Sequence, residues 1–210
     1  YKLYYAPGSC ALASHLTLEE CGADYEAIRL NFAAGEQRSA DYLKINPKGR
    51  VPVLVTPSGT LTETPAILLY LAQMFPKAGL APLDDPFRLA TAQSFNSYLC
   101  STVHVSHAHK GRGARWSDDA AVIDAMKLKV TKNMGDHFAL IEREMLAGPW
   151  VLGADYSVCD AYLYTIARWL EGDGVDVRDF PKVAAHMRAM EARPAVQKVL
   201  ASLGMAGAAR

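Results

Sequence analysis

The sequence predicts an α/β unit over residues 1–76 and an all-helical unit over residues 87–210, with a linker at 77–86 between them. Three observations carry this. Strand and helix patterns alternate through the first part, as they do where strands and helices layer on one another. Three prolines, a glycine and Asp84-Asp85 then crowd into residues 76–86, a punctuation that suits a connection better than an element. Beyond it, helical patterns follow one another with no convincing strand.

In order, Lys2 to Ala6 is a short aromatic strand ended by Pro7-Gly8. Ser9 reads as the N-cap of a helix from Cys10 to Cys21, stopped by Gly22. Tyr25 to Leu30 alternates as a strand, and Ser39 to Ile45 makes a helical turn or two before Asn46-Pro47. Val53-Val55 and Leu61-Thr62 flank Pro57-Ser58-Gly59 as a hairpin. Thr64 to Phe75 is a helix with Pro65 at an early position. The later helices are predicted at 87–111, 118–146, 158–171, 181–191 and 194–203, with Gly204 to Arg210 frayed. Ser157-Val158-Cys159-Asp160 ahead of an apolar run has the form of a capping box.

Composition narrows the functions. With 210 residues, half of them apolar, the chain can bury a substantial core. Its 22 basic and 22 acidic side chains cancel, and the first 80 residues hold seven of each, so neither half has the basic excess of a nucleic-acid binder. No apolar stretch approaches the roughly 20 residues of a membrane span. The uncharged run Leu3 to Leu18 is broken by Pro7-Gly8 and His15 and followed by Glu19-Glu20, which reads as strand, turn and helix rather than a signal peptide. Cys10, Cys21, Cys100 and Cys159 show no paired spacing, which suits a reducing, cytoplasmic setting.

Four places could carry chemistry. Cys10 opens a helix, where free N–H groups and the helix dipole would stabilise a thiolate; the alternative is a small buried hydrophobe. Tyr5 and Ser9 are rival hydroxyls, better suited to packing and capping. Val51-Pro52 lies in an apolar segment and reads on its own as a trans edge proline, though a cis bond would free the Val51 backbone for a ligand. Glu63-Thr64 stands before Pro65, to cap the helix or to receive a ligand's amine and carboxylate. His104, His107 and His109 precede Lys110, Arg112, Arg115 and Trp116; no acid or cysteine stands nearby to complete a metal site. The cations there either steer an anion or solvate a helix end.

Together, Tyr4-Tyr5-Ala6-Pro7-Gly8-Ser9-Cys10, Ile45-Asn46-Pro47-Lys48-Gly49-Arg50-Val51-Pro52-Val53-Leu54 and Leu61-Thr62-Glu63-Thr64-Pro65-Ala66-Ile67 resemble a cytosolic glutathione transferase. The cysteine at position 10 is similar to that of the bacterial beta class, and Gly153 to Tyr162 resembles the family's helix-capping segment. The resemblance implies a thioredoxin-like N-terminal domain, a helical C-terminal domain, a homodimer and glutathione as co-substrate without a metal. It implies a cis Pro52, with Val51 pairing through its backbone with glutathione, and Glu63 and Thr64 holding the γ-glutamyl end. Cys10 would meet the glutathione sulfur, beside His104 as the second catalytic residue. Ser97, Ser101, Thr102 and Val103 would be further glutathione-binding positions. Two charged residues of relatives are Val105 and Thr102 here, and His107, Lys110 and Trp116 would take their place, lining an electrophile pocket with Tyr164 and Trp169.

The function so implied is detoxifying conjugation of the glutathione thiolate to small hydrophobic electrophiles. A second reading is reduction of disulfides, or reductive dehalogenation, through a mixed disulfide at Cys10. A third is a non-catalytic ligand-binding scaffold on the same fold. No nucleic acid or membrane partner is expected.

Overall fold

The computed structural model describes residues 1–205, so most of the predicted frayed end lies outside the described residues. The first part runs β1 (Lys2–Tyr5), α1 (Ala11–Glu20), β2 (Glu26–Arg29), α2 (Ala40–Ile45), β3 (Val53–Thr56), β4 (Gly59–Thr62) and α3 (Thr64–Met74). The four strands form one sheet in the order β2-β1-β3-β4, with β1 parallel to β2 and antiparallel to β3. Alternation along the strands assigns the two faces. Leu3 and Leu54, paired in register, pack with Leu18, Ile67 and Leu71 of α1 and α3. Val53 points the other way, against Leu30 and Tyr42 of α2. Each such leucine or isoleucine, buried in full, contributes about 1.5–3 kcal/mol.

The second part contains α4 (Pro86–Tyr98), α5 (His104–Arg112), α6 (Ala120–Leu140), α7 (Val158–Ala167), α8 (Pro181–Glu191) and α9 (Pro194–Ser202). Asp85 and Asp119 cap α4 and α6 through their carboxylates. The capping box forms: Ser157 accepts from the Cys159 N–H, and Asp160 accepts from the Ser157 N–H at 2.7 Å. Asp160 is fully buried and also accepts from Val151 N at 2.7 Å and from His186 Nε2 at 3.0 Å. Helix α7 is buried along its whole length and packs on α1, where Tyr164 and Ala161 meet Leu12, Leu16 and Val196. Arg193 and Lys198 tie the α9 end to Glu20 and Glu19 of α1. The segment predicted as a linker is docked: Leu80 is buried, and its carbonyl accepts from Val158 N at 2.9 Å.

Three predicted helices differ in a way that matters for the site. The helix expected at 87–111 is broken by a π-helical turn at Leu99–Val103. There the Ser101 hydroxyl bonds back to the Ser97 carbonyl at 2.8 Å, a local competitor to regular helix bonding. The helix expected at 118–146 ends in a second π turn, Ile141–Met145. The helix expected to reach 171 stops at Ala167, where Trp169 and Leu170 bond back only three residues and Trp169 turns toward the first part of the chain. Gly204, with φ of 67°, closes α9 rather than fraying.

Candidate active site

The turn between β1 and α1 sets up the first group. Gly8, at φ 71°, takes a left-handed conformation that suits glycine. Ser9 donates its hydroxyl to Ala6 O at 2.6 Å and accepts from Ala11 N at 3.3 Å, so it steadies the helix start as predicted. Tyr5 packs against His15, leaving Cys10 as the nucleophilic side chain of this turn that looks across the chain. Its sulfur donates to the carbonyl of Val51 at 3.6 Å. Of the two readings open at this position, burial favours the enclosed thiol over the thiolate. Burial raises the Cys10 thiol above its ordinary value, and the Thr64 hydroxyl, the Arg112 charge and the local N–H only partly offset this. Desolvation penalises the charged form, so Cys10 is a neutral thiol at pH 7.

The Val51-Pro52 bond is cis, as the resemblance implied and the isolated base rate did not. Glu63 is the only described residue other than glycine at positive φ, 72°. Such strain collects at functional sites. Its carboxylate accepts from Lys48 Nζ at 2.6 Å, and Lys48 also donates to Thr62 Oγ1 at 2.8 Å. Thr64 is buried at the first position of α3, and its side chain acts to lower the Cys10 thiol. Lys48 went unassigned in the sequence although it stands inside the Asn46-Pro47-Lys48-Gly49 motif. Cys100 is drawn in as well, its thiol raised by burial and then by the Glu63 charge.

The helical part contributes an aromatic stack. Trp169 donates its Nε1–H to the Gly8 carbonyl at 3.0 Å, tying the end of α7 to the turn before Cys10. The His107 ring lies on Trp169 at 4.2 Å and 20°, and His104 meets the same indole at 4.9 Å. Burial, then the charges of His107, Arg112, Arg115 and Arg50, push the His104 imidazole down to about 4, so it is neutral at pH 7. His107 Nδ1 bonds to Asp173 Oδ2 at 2.7 Å, and Lys110 Nζ lies 3.6 Å from the other oxygen of this fully buried carboxylate. Asp173 sits between two glycines and carried no sequence signal. His109 turns to Trp116, which is half exposed.

The remaining sequence-predicted residues divide. Ser97 and Ser101 are exposed and Thr102 half-buried around the π turn, with Ser101 and Thr102 hydroxyls 3.5 Å apart. Val103 is a correction: it is fully buried in the helical core and offers no surface to glutathione. Tyr164 is another. It is fully buried on the far side of α7, with its hydroxyl bonded to Glu191 and Arg168, so it lines no cleft. Tyr162 and Tyr164 are both core because every position of α7 is enclosed, which removes the helical periodicity that would tell them apart.

Known proteins match this arrangement across both parts. The glutathione S-transferase N-terminal domain family matches residues 1–73, and the glutathione S-transferase C-terminal domain family matches residues 114–203. A glutathione transferase homologue from Sulfitobacter, solved with bound glutathione, is 43% identical with a TM-score of 0.93, covering 97% of this chain and 98% of that one. The bacterial beta class glutathione S-transferase of Sphingomonas chungbukensis is 33% identical with a TM-score of 0.86, covering 98% of this chain and 100% of that one. Glutathione S-transferase GstA of Escherichia coli O157:H7 is 32% identical, over 97% of this chain and 99% of its own length. With both parts matched and relatives aligned along nearly its whole length, the chain belongs to the glutathione S-transferase family.

Proposed function

We propose that this chain conjugates glutathione to small electrophiles, with the glutathione backbone along Val51, its γ-glutamyl end at Glu63 and Thr64, and its sulfur against Cys10. The observation that carries this reading is the contact of the Cys10 sulfur, at the start of α1, with the carbonyl of Val51, the residue before the cis proline. The glutathione thiol gives its proton to solvent. The resulting thiolate forms a C–S bond with the electrophilic carbon, and the leaving group departs with its electron pair. A neutral Cys10 suits the role of S–H donor to that thiolate, and the Arg112 charge favours an anion at the same place. His104, also neutral, is a wall and hydrogen-bonding group rather than a counter-ion.

Reduction or dehalogenation through a Cys10 mixed disulfide needs the Cys10 thiolate, which burial disfavours. A non-catalytic scaffold would have no use for a strained Glu63 held by Lys48. We further propose a homodimer, supported by the exposure of Met74, Phe87 and Leu128, and a detoxifying role in the cytoplasm, supported by four free cysteines. No described helix is long and apolar enough to cross a membrane. Retention on immobilised glutathione, together with turnover of 1-chloro-2,4-dinitrobenzene, tests the reading; a protein that does neither refutes it.

A further inference from the structure

Four arginines from distant parts of the chain lie within reach of one another's charge, and three of them, Arg50, Arg112 and Arg115, act on the His104 imidazole. Arg38 ends the short turn Glu36–Arg38, and Arg50 stands before Val51-Pro52. These two segments are pressed together, since a Cβ added to Gly49 would lie 3.0 Å from the Gln37 carbonyl. Arg112 ends α5, and Arg115 lies in the tight turn Gly113–Arg115 that follows. All four side chains are exposed. Their charges reach one another: the Arg115 guanidinium is pulled down by burial and then by Arg112, Arg50 and Arg38.

Among the described residues none of the four is in an ion pair; the arginines that are so paired are Arg88, Arg143, Arg168, Arg178 and Arg193, all outside this group. The two carboxylates of the site are already engaged, Glu63 by Lys48 and Asp173 by His107 and Lys110. Like charges held together without a counter-ion are unfavourable in the free protein and become favourable when an anion arrives. A single glycyl carboxylate on the glutathione proposed above would occupy one guanidinium in a paired fashion and leave the others over. Beside the cations stands the flat surface of Trp169, His107 and His104, anchored through Gly8 next to Cys10.

We propose that the co-substrate of this site is an aromatic electrophile bearing a carboxylate, its ring against the Trp169–His104 wall and its carboxylate on Arg112 and Arg115. This rests on the conjugation reading above and names the substrate class for it. Guanidinium groups suit a carboxylate because their paired N–H donors match its two oxygens. In the aromatic case the thiolate sulfur bonds to the ring carbon that carries chlorine, and chloride leaves with the C–Cl electron pair. The carboxylate takes no part in bond making and serves to position the ring.

The test compares 4-chloro-3,5-dinitrobenzoate with 1-chloro-2,4-dinitrobenzene, each rate divided by its uncatalysed rate with glutathione. The wild-type ratio of kcat/KM should favour the carboxylate at least tenfold and shrink as salt is raised. Arg115→Gln should cut that ratio tenfold or more, and Arg115→Lys, which keeps the charge but loses the paired N–H donors, should fall between wild type and Arg115→Gln. A ratio near one in the wild type, or one untouched by Arg115→Gln, overturns the proposal. If neither compound is conjugated, the conjugation reading fails. Direct titration with 3,5-dinitrobenzoate then decides the anion site: binding weakened tenfold by Arg115→Gln upholds it, and no binding overturns it.

Discussion

Replacing Cys10 by alanine and by serine separates donor from nucleophile. In the folded chain the Cys10 sulfur is nearly inaccessible, protonated, and already donating to a carbonyl at 3.6 Å, so its available service to a neighbouring thiolate is one hydrogen bond. A hydrogen bond to a charged partner contributes about 1.5–3 kcal/mol. At about 1.4 kcal/mol per factor of ten, Cys10→Ala should lower the conjugation rate by roughly tenfold to 150-fold. The same loss raises the pKa of bound glutathione, so the pH midpoint of kcat/KM for the electrophile should move up by about one to two units. Cys10→Ser restores an O–H donor and should recover most of both. The assay is the pH profile of conjugation at saturating glutathione for the three proteins. Equal inactivity of the serine and alanine variants, with a glutathione adduct on wild-type Cys10 after exposure to glutathione disulfide, would refute the donor role. So would an alanine variant with unchanged rate and midpoint.

His104 and His15 both titrate near 4 in the fold against an ordinary 6.5, burial being the first cause at each. Between those values the unfolded chain binds more protons, so stability falls as pH drops from 6.5 toward 4, by about 2 kcal/mol per histidine at pH 5. Urea midpoints at pH 7 and pH 5, at one protein concentration, should show this, and His104→Gln should remove about half of the difference. Asp160→Ala strands two buried N–H groups and the His186 ring. It should destabilise the protein by about 3–5 kcal/mol in chemical denaturation; a loss under about 1 kcal/mol would contradict the buried network. Glu63→Gly should act in opposite directions, raising stability by about 1 kcal/mol as the positive φ is relieved and weakening glutathione binding tenfold or more. Calorimetric titration and thermal unfolding of one preparation check both signs.

What could be read from the chain in advance follows the range of the physics involved. The β1-turn-α1 start, the hairpin and the Ser157–Asp160 box are local, each set by a few adjacent residues, and they stand where the patterns put them. The cis bond at Pro52 was invisible to the residues alone and became an expectation only through the three motifs together. The state of Cys10 is not legible locally, because position at a helix start argues for a thiolate, whereas the burial that reverses the sign comes from packing with the helical core, distant in sequence. Asp173, Lys48 and the Trp169–Gly8 bond were missed for the same reason. Their partners lie 14 to 161 residues away, and no local pattern encodes such a pairing.

Charge shows the same dependence on scale. Zero net charge argues against a polyanion as partner, because a long ligand samples the surface as a whole. A small ligand samples far less, since in dilute salt charges beyond roughly 10 Å are screened from it. Much of the acid that balances this chain is engaged elsewhere, Glu20 with Arg193, Glu191 with Arg168 and Asp155 with Arg88. Those pairs fasten α9, α7 and α4 in place, while among the described residues Arg38, Arg50, Arg112 and Arg115 enter no ion pair. Neutral composition and a cationic cluster are therefore consequences of one distribution: acids and bases that hold the helical part together cancel in pairs, and the cations that remain in the cluster are left for the ligand.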